Sequence, residues 1–328
     1  MNRRGDSRRL PPGISIRAHQ VEAALDDVAR RVPGAKPDGW LPSVQGAVGH
    51  VVGIKLSSID DRLGDRGAAV LKVYGAHGAA RAPVEASVLR QLDGWTVLPT
   101  PRLLATGSVD GLPWVLMTRL EGVRWVDYMR QHGAAAQMAL IQATARVLRV
   151  LHARPGPAFG GILPGDERRP TALDAVRARA ISALLEYEAT VESSSVSGGA
   201  RRWLDRQWLA FAVSVGPVLL HNDVNRGNLL VDSAGLLSGL VDWERAGFGD
   251  PIADLAHLAQ HLRHESDDDV EVLLAAYGVD DSGRARLEVY EVLEALTERA
   301  WIALDRPHGW SDSVDRLDAW VTARLHDR

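Results

Sequence analysis

Cysteine is absent from the 328 residues of this sequence, which excludes disulfides, cysteine zinc sites and thiol nucleophiles. Any bound metal would therefore need oxygen or imidazole ligands. No apolar run approaches the ~18 residues that a membrane-spanning helix needs, and the amino terminus lacks the apolar core of a signal peptide. We therefore expect a cytoplasmic protein that does not enter membranes.

Lysine is scarce as well, because the sequence contains only Lys36, Lys55 and Lys72 and arginine carries nearly all of the positive charge. The net charge of -4 gives no overall attraction to nucleic acid or anionic lipid. We expect neither as a partner, and we expect a monomer or a homodimer.

The composition and length are those of a globular protein with about two domains. Hydrophobic residues make up 46% of the chain and charged residues 24%. A helix is predicted over 15–31, within an amino-terminal extension of residues 1–40. Short β-like runs and one helix follow over 41–117, and after a boundary at 118–122 the pattern is mainly helical over 123–328.

Several local patterns support this division. Three runs have the texture of strands: "GHVVGIKL", "GAAVLKVYG" and "LPWVLMTRL". Between the second and third, "RAPVEASVLRQL" has apolar residues at helical spacing. The segment "SSSVSGG" (193–199) is predicted to be a surface loop, and a hairpin is predicted with its turn at 233–235.

The most informative stretch is "VLLHNDVNRGNLLVD" (218–232), which places many polar groups between two apolar ends. Asp223 and Asn228 lie five residues apart, and Asp242 follows in "LVDWE". Three such oxygen ligands suit Mg²⁺, which binds one or two carboxylates together with substrate phosphates. The alternative is a polar loop capped by Asx-turns, because short patterns recur by chance.

Two further patterns accompany this stretch in the order expected of a nucleotide site. Lys72 lies mid-strand in "VLKVYG", where a buried ammonium needs an anionic partner, and Glu85 follows in "VEASVLRQL". The alternative is an edge-strand lysine with its head in water. Gly46 and Gly49 in "VQGAVGHVV" are candidates for a turn over a nucleotide, although the full G-x-G-x-x-G is missing.

The chain resembles the aminoglycoside phosphotransferases and their choline-kinase-like relatives in an ordered series of segments: "VLKVYG", "EASVLRQL", "PTPRLLATG", "WVLMTRLEG", "VLRVLHA", "LLHNDVNRGNLLVD" and "GLVDWERAGFGDPIADLA". The resemblance runs from about Val44 to Leu258. Conventional protein kinases fit less well, because they need D-F-G, an activation loop and A-P-E. This chain instead has Asp242-Trp243-Glu244 followed by Gly249-Asp250-Pro251.

The resemblance implies an α+β, bilobal protein-kinase-like fold, with a small β-rich lobe and a larger, mainly helical lobe. It also implies ATP and Mg²⁺ as cofactors. Asp223 would be the catalytic base or hydroxyl-orienting residue, and Asn228 and Asp242 would be metal ligands. Lys72, paired with Glu85, would hold the α- and β-phosphates.

Other positions follow from the same resemblance. The hinge between the lobes would lie at 118–122, and Met117, Thr118 and Leu120 would contact adenine. His221 would fix the loop, and Asp250 would cap the helix that begins at "GDPIADLA". Members of the family often have glycine after the loop histidine, where this chain has Asn222. Arg226 would either stabilise the transferring phosphate or contact a neighbouring helix.

The predicted reaction is transfer of the ATP γ-phosphoryl group to the hydroxyl of a small molecule. An aminoglycoside-type antibiotic is the preferred acceptor, because two segments look most like hygromycin-type members. The alternatives are a nucleoside antibiotic of the capuramycin type, or a metabolite such as choline, homoserine or an amino sugar. A non-catalytic nucleotide-binding pseudokinase is the alternative from another functional class, and a protein kinase is a third.

The segment from Arg263 to Arg299 is strongly acidic, with eleven acidic residues against four arginines. In the family this segment helps to form the acceptor pocket, so it would favour a cationic, amine-bearing acceptor. The alternative is an ordinary solvated helix face, on which Glu291, Glu294 and Glu298 fall at helical spacing.

Overall fold

The computed structural model describes residues 16–32, 35–41, 43, 49–57, 67–191, 194–263, 265–305 and 310–326. Its internal contacts divide the chain into two compact units. The first unit contains the described residues up to Gly122 together with Ser238–Arg245, and the second contains the rest. The sequence division had instead assigned residues 238–245 to the helical lobe.

A five-stranded antiparallel sheet forms the first unit, in the order β1-β2-β3-β5-β4. The third strand is therefore central and pairs on both sides, with β2 and with β5. The sheet begins inside the range predicted as a helical extension. The strands are β1 (Lys36–Leu41), β2 (Gly49–Ser57), β3 (Ala68–Tyr74), β4 (Leu103–Val109) and β5 (Leu112–Thr118).

Helix α1 (Ala18–Arg31) buries an apolar face in the core of the first unit. Its Val21, Ala24 and Val28 recur at helical spacing and belong to the same buried cluster as strand residues such as Ile54. Helix α2 (Arg81–Gln91) contacts β5 and the short 3₁₀ turn Trp243–Arg245. The turn at 243–245 therefore belongs to the first unit although it is distant in sequence.

Helices dominate the second unit, in which α7 packs against α8 and α9, α4 against α8, and α5 against α9. A small antiparallel sheet has the order β8-β7-β12-β9. The helices are α3 (Trp125–Tyr128), α4 (Ala134–Leu151), α5 (Ala172–Thr190), α6 (Ser194–Gln207), α7 (Ile252–Arg263), α8 (Asp267–Tyr277), α9 (Asp281–Asp305) and α10 (Trp310–His326). The strands are β6 (Val123–Arg124), β7 (Phe159–Gly160), β8 (Arg168–Arg169), β9 (Val218–Leu220), β10 (Leu229–Val231) and β12 (Gly247–Gly249). Strand β11 (Leu237–Leu240) belongs to the first unit from Ser238 onward.

Two local predictions in the second unit have different outcomes. The turn predicted at 233–235 is present, with Gly235 at φ 81 and with Asp232 accepting hydrogen bonds from the amides of Ala234 and Leu236. The loop predicted at 193–199 is wrong, because α6 begins at Ser194. Gly199 lies close to α10, where an added Cβ would come within 3.3 Å of Leu325, so packing overrides the weak helix propensity of this stretch.

The predicted α+β class is confirmed, with an antiparallel sheet in the amino-terminal part and a mainly helical carboxyl-terminal part. Among the residues that the structure describes, no helix has both the length and the apolar composition for crossing a membrane.

Candidate active site

Two polar centres carry the predicted site residues, one in each unit. The first surrounds Lys72, in the middle of central strand β3, where Val51 and Val115 are its cross-strand neighbours. Its side chain is buried, with 5% of the residue exposed. The edge-strand alternative is therefore wrong, and the ammonium group must find its partners inside the protein.

Three carboxylates surround the Lys72 ammonium group. Nζ lies 2.5 Å from Oδ1 of Asp242, 2.6 Å from Oε2 of Glu244 and 3.5 Å from Oε2 of Glu85. Burial alone would lower the pKa of Lys72, but Asp242 and Glu85 outweigh it and raise the pKa well above its ordinary value. The surrounding carboxylates therefore favour the charged form of Lys72.

Glu85 of α2 forms hydrogen bonds both with the turn at 243–245 and with strand β3. One of its oxygens accepts the backbone N–H of Trp243 at 3.1 Å, and the other accepts the hydroxyl hydrogen of Tyr74. Burial raises the pKa of Glu85 against the attraction of Lys72. Tyr74 was not predicted, although the strand period of two places it on the same face as Lys72, with Nζ 5.0 Å from its ring centroid.

Glu244 is a further carboxylate that the sequence analysis did not assign. It is buried, and its Oε1 pairs with Nη1 of Arg81 at 2.8 Å. The Trp243 ring between the two acids packs edge-to-face against Trp95, with centroids 6.5 Å apart. The turn at 242–244 is thus fixed on both sides, by ion pairs and by aromatic packing.

Asp242 has the properties that a metal ligand of this turn needs. Its φ of 69 lies in the left-handed region, which is uncommon outside glycine and tends to occur at functional sites. Oδ1 contacts Lys72, whereas Oδ2 makes no hydrogen bond with any described residue. A carboxylate oxygen is therefore left for a cation. The described residues contain no group of three or more His, Asp or Glu side chains with the geometry of a metal site.

The remaining predicted nucleotide contacts also belong to the first unit, except that Gly46 lies outside the described residues. Gly49 begins β2, and a Cβ there would lie 2.9 Å from the carbonyl oxygen of Val73 and 3.5 Å from Cγ of Lys72. The amide of Thr118 donates to the carbonyl of Arg102. The amide of Leu120 makes no hydrogen bond within the described part of the chain. Adenine contacts at Met117, Thr118 and Leu120 stay a prediction.

In the second unit, the loop after β9 is held by one buried carboxylate of α7. Oδ2 and Oδ1 of Asp254 accept the backbone amides of His221 and Asn222 at 2.9 and 2.6 Å. Burial would raise the pKa of Asp254, but contacts with His152 and His221 lower it below its ordinary value. Asn222 has φ 60, a conformation that asparagine tolerates better than most residues, which explains why it can replace the family's glycine.

The side chains within this loop orient one another. Nδ2 of Asn228 donates to the carbonyl and to Oδ2 of Asp223, both at 2.9 Å. Asn225 accepts the amides of Gly227 and Asn228 in a local turn. Because the Asn228 amide nitrogen faces Asp223, its oxygen is the remaining group, and it makes no hydrogen bond within the described residues. Asn228 thus offers the oxygen ligand that Mg²⁺ prefers.

Sequence reasoning missed His257 of α7, which lies between two carboxylates of the second unit. Nε2 is 3.1 Å from Oδ1 of Asp223, and Nδ1 donates to Oε2 of Glu294 at 3.0 Å. The approach to Asp223 is that of an ion pair rather than of an aligned hydrogen bond. No local sequence pattern predicts this contact, because Asp223, His257 and Glu294 are far apart in sequence.

Asp250, just before α7, and Arg226, within this loop, each have a side-chain partner. The Asp250 side chain accepts the amide of Ile252 at 3.0 Å, so the predicted cap of α7 is confirmed. Nη1 of Arg226 lies 2.6 Å from Oε1 of Glu265, just beyond α7. This is a contact with a neighbouring element, as one of the two sequence alternatives expected. A role for Arg226 at the transferring phosphate stays a prediction.

Ion pairs with arginines outside the 263–299 segment, Arg179 and Arg226, neutralise part of its acidic surplus. The solvated-face interpretation is wrong for Glu291 and Glu294, which are 1% and 4% exposed. Glu291 pairs with Arg263, and Glu294 pairs with Arg179 as well as with His257. The acidic surplus that is left to attract a cationic acceptor is therefore smaller than the sequence count suggests.

Comparison with known proteins gives a consistent family. Residues 61–290 match the sequence profile of the phosphotransferase enzyme family, APH. An aminoglycoside 3'-phosphotransferase of Escherichia coli is 24% identical over 300 residues, which cover 83% of this chain and 100% of that protein. The viomycin phosphotransferase of Streptomyces vinaceus is 28% identical over 219 residues, or 63% of this chain and 71% of that protein.

Solved structures share the fold. The crystal structure of aminoglycoside phosphotransferase APH(4)-Ia has a TM-score of 0.69 and 19% identity, and the match covers 94% of this chain and 98% of that one. A thermostable mutant of the same protein, in a ternary complex with AMP-PNP and hygromycin B, gives a TM-score of 0.68 at 19% identity over 92% and 98% of the two chains. The segment that matches the family profile spans well over half of the chain and includes every predicted catalytic and metal-binding residue, so the protein belongs to the APH phosphotransferase enzyme family.

Proposed function

We propose that this phosphotransferase moves the γ-phosphoryl group of ATP to a hydroxyl of an aminoglycoside-type antibiotic, with Mg²⁺ as the metal. The carrying observation is the arrangement of Asp223 and Asn228. The Asn228 amide nitrogen holds the Asp223 carboxylate and leaves the amide oxygen available. One loop thereby supplies a fixed carboxylate for a hydroxyl and an oxygen ligand for a metal.

Each residue has a limited task in this proposal. Asp223 would accept or orient the proton of the acceptor hydroxyl, and Lys72 would bind phosphate oxygens. Asn228 and Asp242 would hold Mg²⁺, which neutralises phosphate charge when bound. The protein would accelerate the reaction by positioning and charge stabilisation, because phosphoryl transfer needs little covalent chemistry from the enzyme.

The antibiotic acceptor is supported by the relatives. Their names include an aminoglycoside 3'-phosphotransferase and a viomycin phosphotransferase, and one solved relative holds hygromycin B. Phosphorylation would inactivate the antibiotic and give resistance. The need for ATP favours a cytoplasmic location. Capuramycin-type nucleosides, choline, homoserine and amino sugars are the competing acceptors, since acceptor pockets vary between members of one fold.

An acceptor panel tests the function. ADP release would be measured with Mg-ATP and each of hygromycin B, kanamycin, viomycin, a capuramycin-type nucleoside, choline and homoserine. We expect turnover on at least one aminoglycoside. Turnover confined to a metabolite or nucleoside would replace the acceptor class, and nucleotide binding without turnover on any acceptor would favour a non-catalytic binding protein.

The metal assignment has a separate test in Asp242→Ala. Calorimetry would compare ATP binding with and without Mg²⁺, in the wild type and in the variant. We expect the Mg²⁺-dependent gain in affinity to disappear, because a carboxylate ligand is lost. Asp232→Ala, at an exposed turn of the second unit, is the control and should keep the gain. An unchanged Mg²⁺ effect in Asp242→Ala would exclude Asp242 as a ligand.

A further inference from the structure

One face of α7 serves the loop that carries Asp223 in two ways. Asp254 and His257 are three residues apart and therefore lie on the same side of the helix. Asp254 holds the loop backbone through the amides of His221 and Asn222. His257 meets the Asp223 carboxylate itself, with 3.1 Å between Nε2 and Oδ1.

Both ring nitrogens of His257 face carboxylates, and this arrangement favours the doubly protonated imidazolium. A neutral imidazole has one donor and one acceptor nitrogen, and only the imidazolium presents N–H groups on both sides. Burial alone would lower the pKa of His257, but Glu294 and Asp223 raise it to about 10. The ring therefore carries a positive charge at neutral pH.

The far side of His257 is itself anchored. Glu294 of α9 is buried, and while its Oε2 accepts from His257 its Oε1 accepts from Arg179 of α5. A buried carboxylate with one partner on each oxygen has little freedom to move. The His257 ring is thus supported by a second helix, which is itself tied to a third.

We propose that His257, supported by Glu294, is a positioning residue that fixes the carboxylate of Asp223 for phosphoryl transfer. This inference rests on the proposed function. Its basis is that Asp223 is held on each oxygen: His257 approaches Oδ1 at 3.1 Å, where Asn225 donates a longer hydrogen bond of 3.3 Å, and Asn228 donates to Oδ2. The carboxylate is then ordered before the acceptor binds, so the reaction step does not include the entropy cost of orienting it.

The kinetic test uses His257→Ala, His257→Gln and Glu294→Gln. With the best acceptor of the panel, or with water as acceptor in ATP hydrolysis, His257→Ala should lower kcat by about 10-fold to 100-fold, the range found when a supporting partner of a site is removed. The KM for ATP should stay within about twofold, because the contact concerns the hydroxyl side of the reaction. His257→Gln should recover part of the loss, since its amide can still donate, and Glu294→Gln should lose less than His257→Ala.

Stability is measured alongside the kinetics. His132→Gln is the control, because His132 is exposed and contacts Tyr128 rather than Asp223; its kcat should equal that of the wild type. Rates are normalised to the folded fraction from circular dichroism. The inference is overturned if normalised kcat of His257→Ala equals that of the wild type, or if the KM for ATP rises as much as kcat falls.

A second measurement reports on the contact without any turnover. Nitrogen-15 NMR of the His257 ring should show both nitrogens protonated at neutral pH, and Asp223→Asn should shift the Nε2 resonance more than the Nδ1 resonance. Absence of that shift overturns the inference even if the enzyme is active. Absence of ATP turnover with every acceptor and with water, beside a normal shift, overturns the proposed function, and the role of His257 in catalysis with it.

Discussion

Around Lys72, one ammonium group faces three carboxylates, whereas around Asp223 the carboxylates are matched by cations. The first centre contains Lys72 and Arg81 against Glu85, Asp242 and Glu244. In the second centre, His257 lies between the carboxylates of Asp223 and Glu294, and Arg179 pairs with Glu294. The first centre has one acid more than its bases, and the second is balanced.

This difference matches two different tasks. A surplus carboxylate lowers the energy of a further cation, so the first centre is suited to receive one. A balanced set of buried ion pairs attracts no further ion and instead fixes the geometry of its members. Under the proposed function, the first centre would act mainly in binding Mg-ATP, and the second mainly in the reaction step.

The largest expected effect comes from Asp223→Asn, which removes the acid or base but keeps the shape. We expect kcat to fall by roughly 10²–10⁴, the usual scale for a positioned proton acceptor, with little change in the KM for ATP. Asp232→Asn is a matched control on an exposed turn nearby in sequence. Steady-state ADP release would measure both, and a variant that keeps more than about a tenth of the wild-type rate would remove Asp223 from this role.

Lys72→Met tests the first centre and should change both the free energy of unfolding and the kinetics with ATP. Removal of the ammonium group leaves buried Glu85 and Glu244 without their common cation, which should cost about 3–5 kcal/mol of unfolding free energy. The KM for ATP should rise while kcat falls, because the lysine serves binding and positioning together. Urea denaturation and steady-state kinetics measure the two effects.

Two further variants sharpen the Lys72 result. Lys55→Met makes the same substitution at an exposed position on neighbouring strand β2, so it should change stability by about 0.5 kcal/mol or less. Adding Glu85→Gln to Lys72→Met should restore part of the stability, because Lys72 is the cation that pairs with Glu85 and the double variant no longer buries that carboxylate unpaired. If Lys72→Met and Lys55→Met had the same free energy of unfolding, the carboxylates around Lys72 would not depend on its charge for their stability.

The last prediction is a pH dependence of stability that belongs to the Asp223 centre. The pKa of His257 is raised to about 10 in the folded protein, above the imidazole value of roughly 6.5. The folded protein then binds the extra proton, so this stabilisation is complete below about pH 6.5 and is lost as the pH rises to about 10. The stability difference between wild type and His257→Gln should shrink across that interval, as followed by urea denaturation. A difference that is constant with pH would contradict a charged His257.

Much of the fold could be predicted because its signals are local. The β-like runs give β2, β3 and β5 within one or two residues, and the predicted helix at 15–31 begins only at Ala18. Strand β4, "LLATGSV", was not predicted, because it has small and polar residues and its burial is only partial. The predicted loop at 193–199 is wrong because Gly199 allows α6 to pack closely against Leu325 of α10.

The residues of the site also divide into those with a local sequence signal and those without one. Lys72, Glu85, Asp223, Asn228 and Asp242 could be proposed because each lies in a short pattern with a defined order. His257 and Glu294 could not, since an isolated histidine on a helix and an acid in an acidic segment have no distinctive spacing. Their meaning depends on the packing of α7 against α9, which is a tertiary property. Tyr74 is intermediate, because strand alternation alone places it beside Lys72.

Helix α1 has a consequence for where this protein can be shortened. Its Asp27 accepts a hydrogen bond from the indole of Trp114, a residue of β5, and its apolar residues complete the buried layer on one side of the sheet. A gene trimmed to start at β1 would leave Ile54, Leu71 and Leu116 open to water. The shortened protein would expose a contiguous apolar surface and would tend to aggregate during expression. The minimal folding unit thus begins well before the first segment that resembles a nucleotide-binding enzyme.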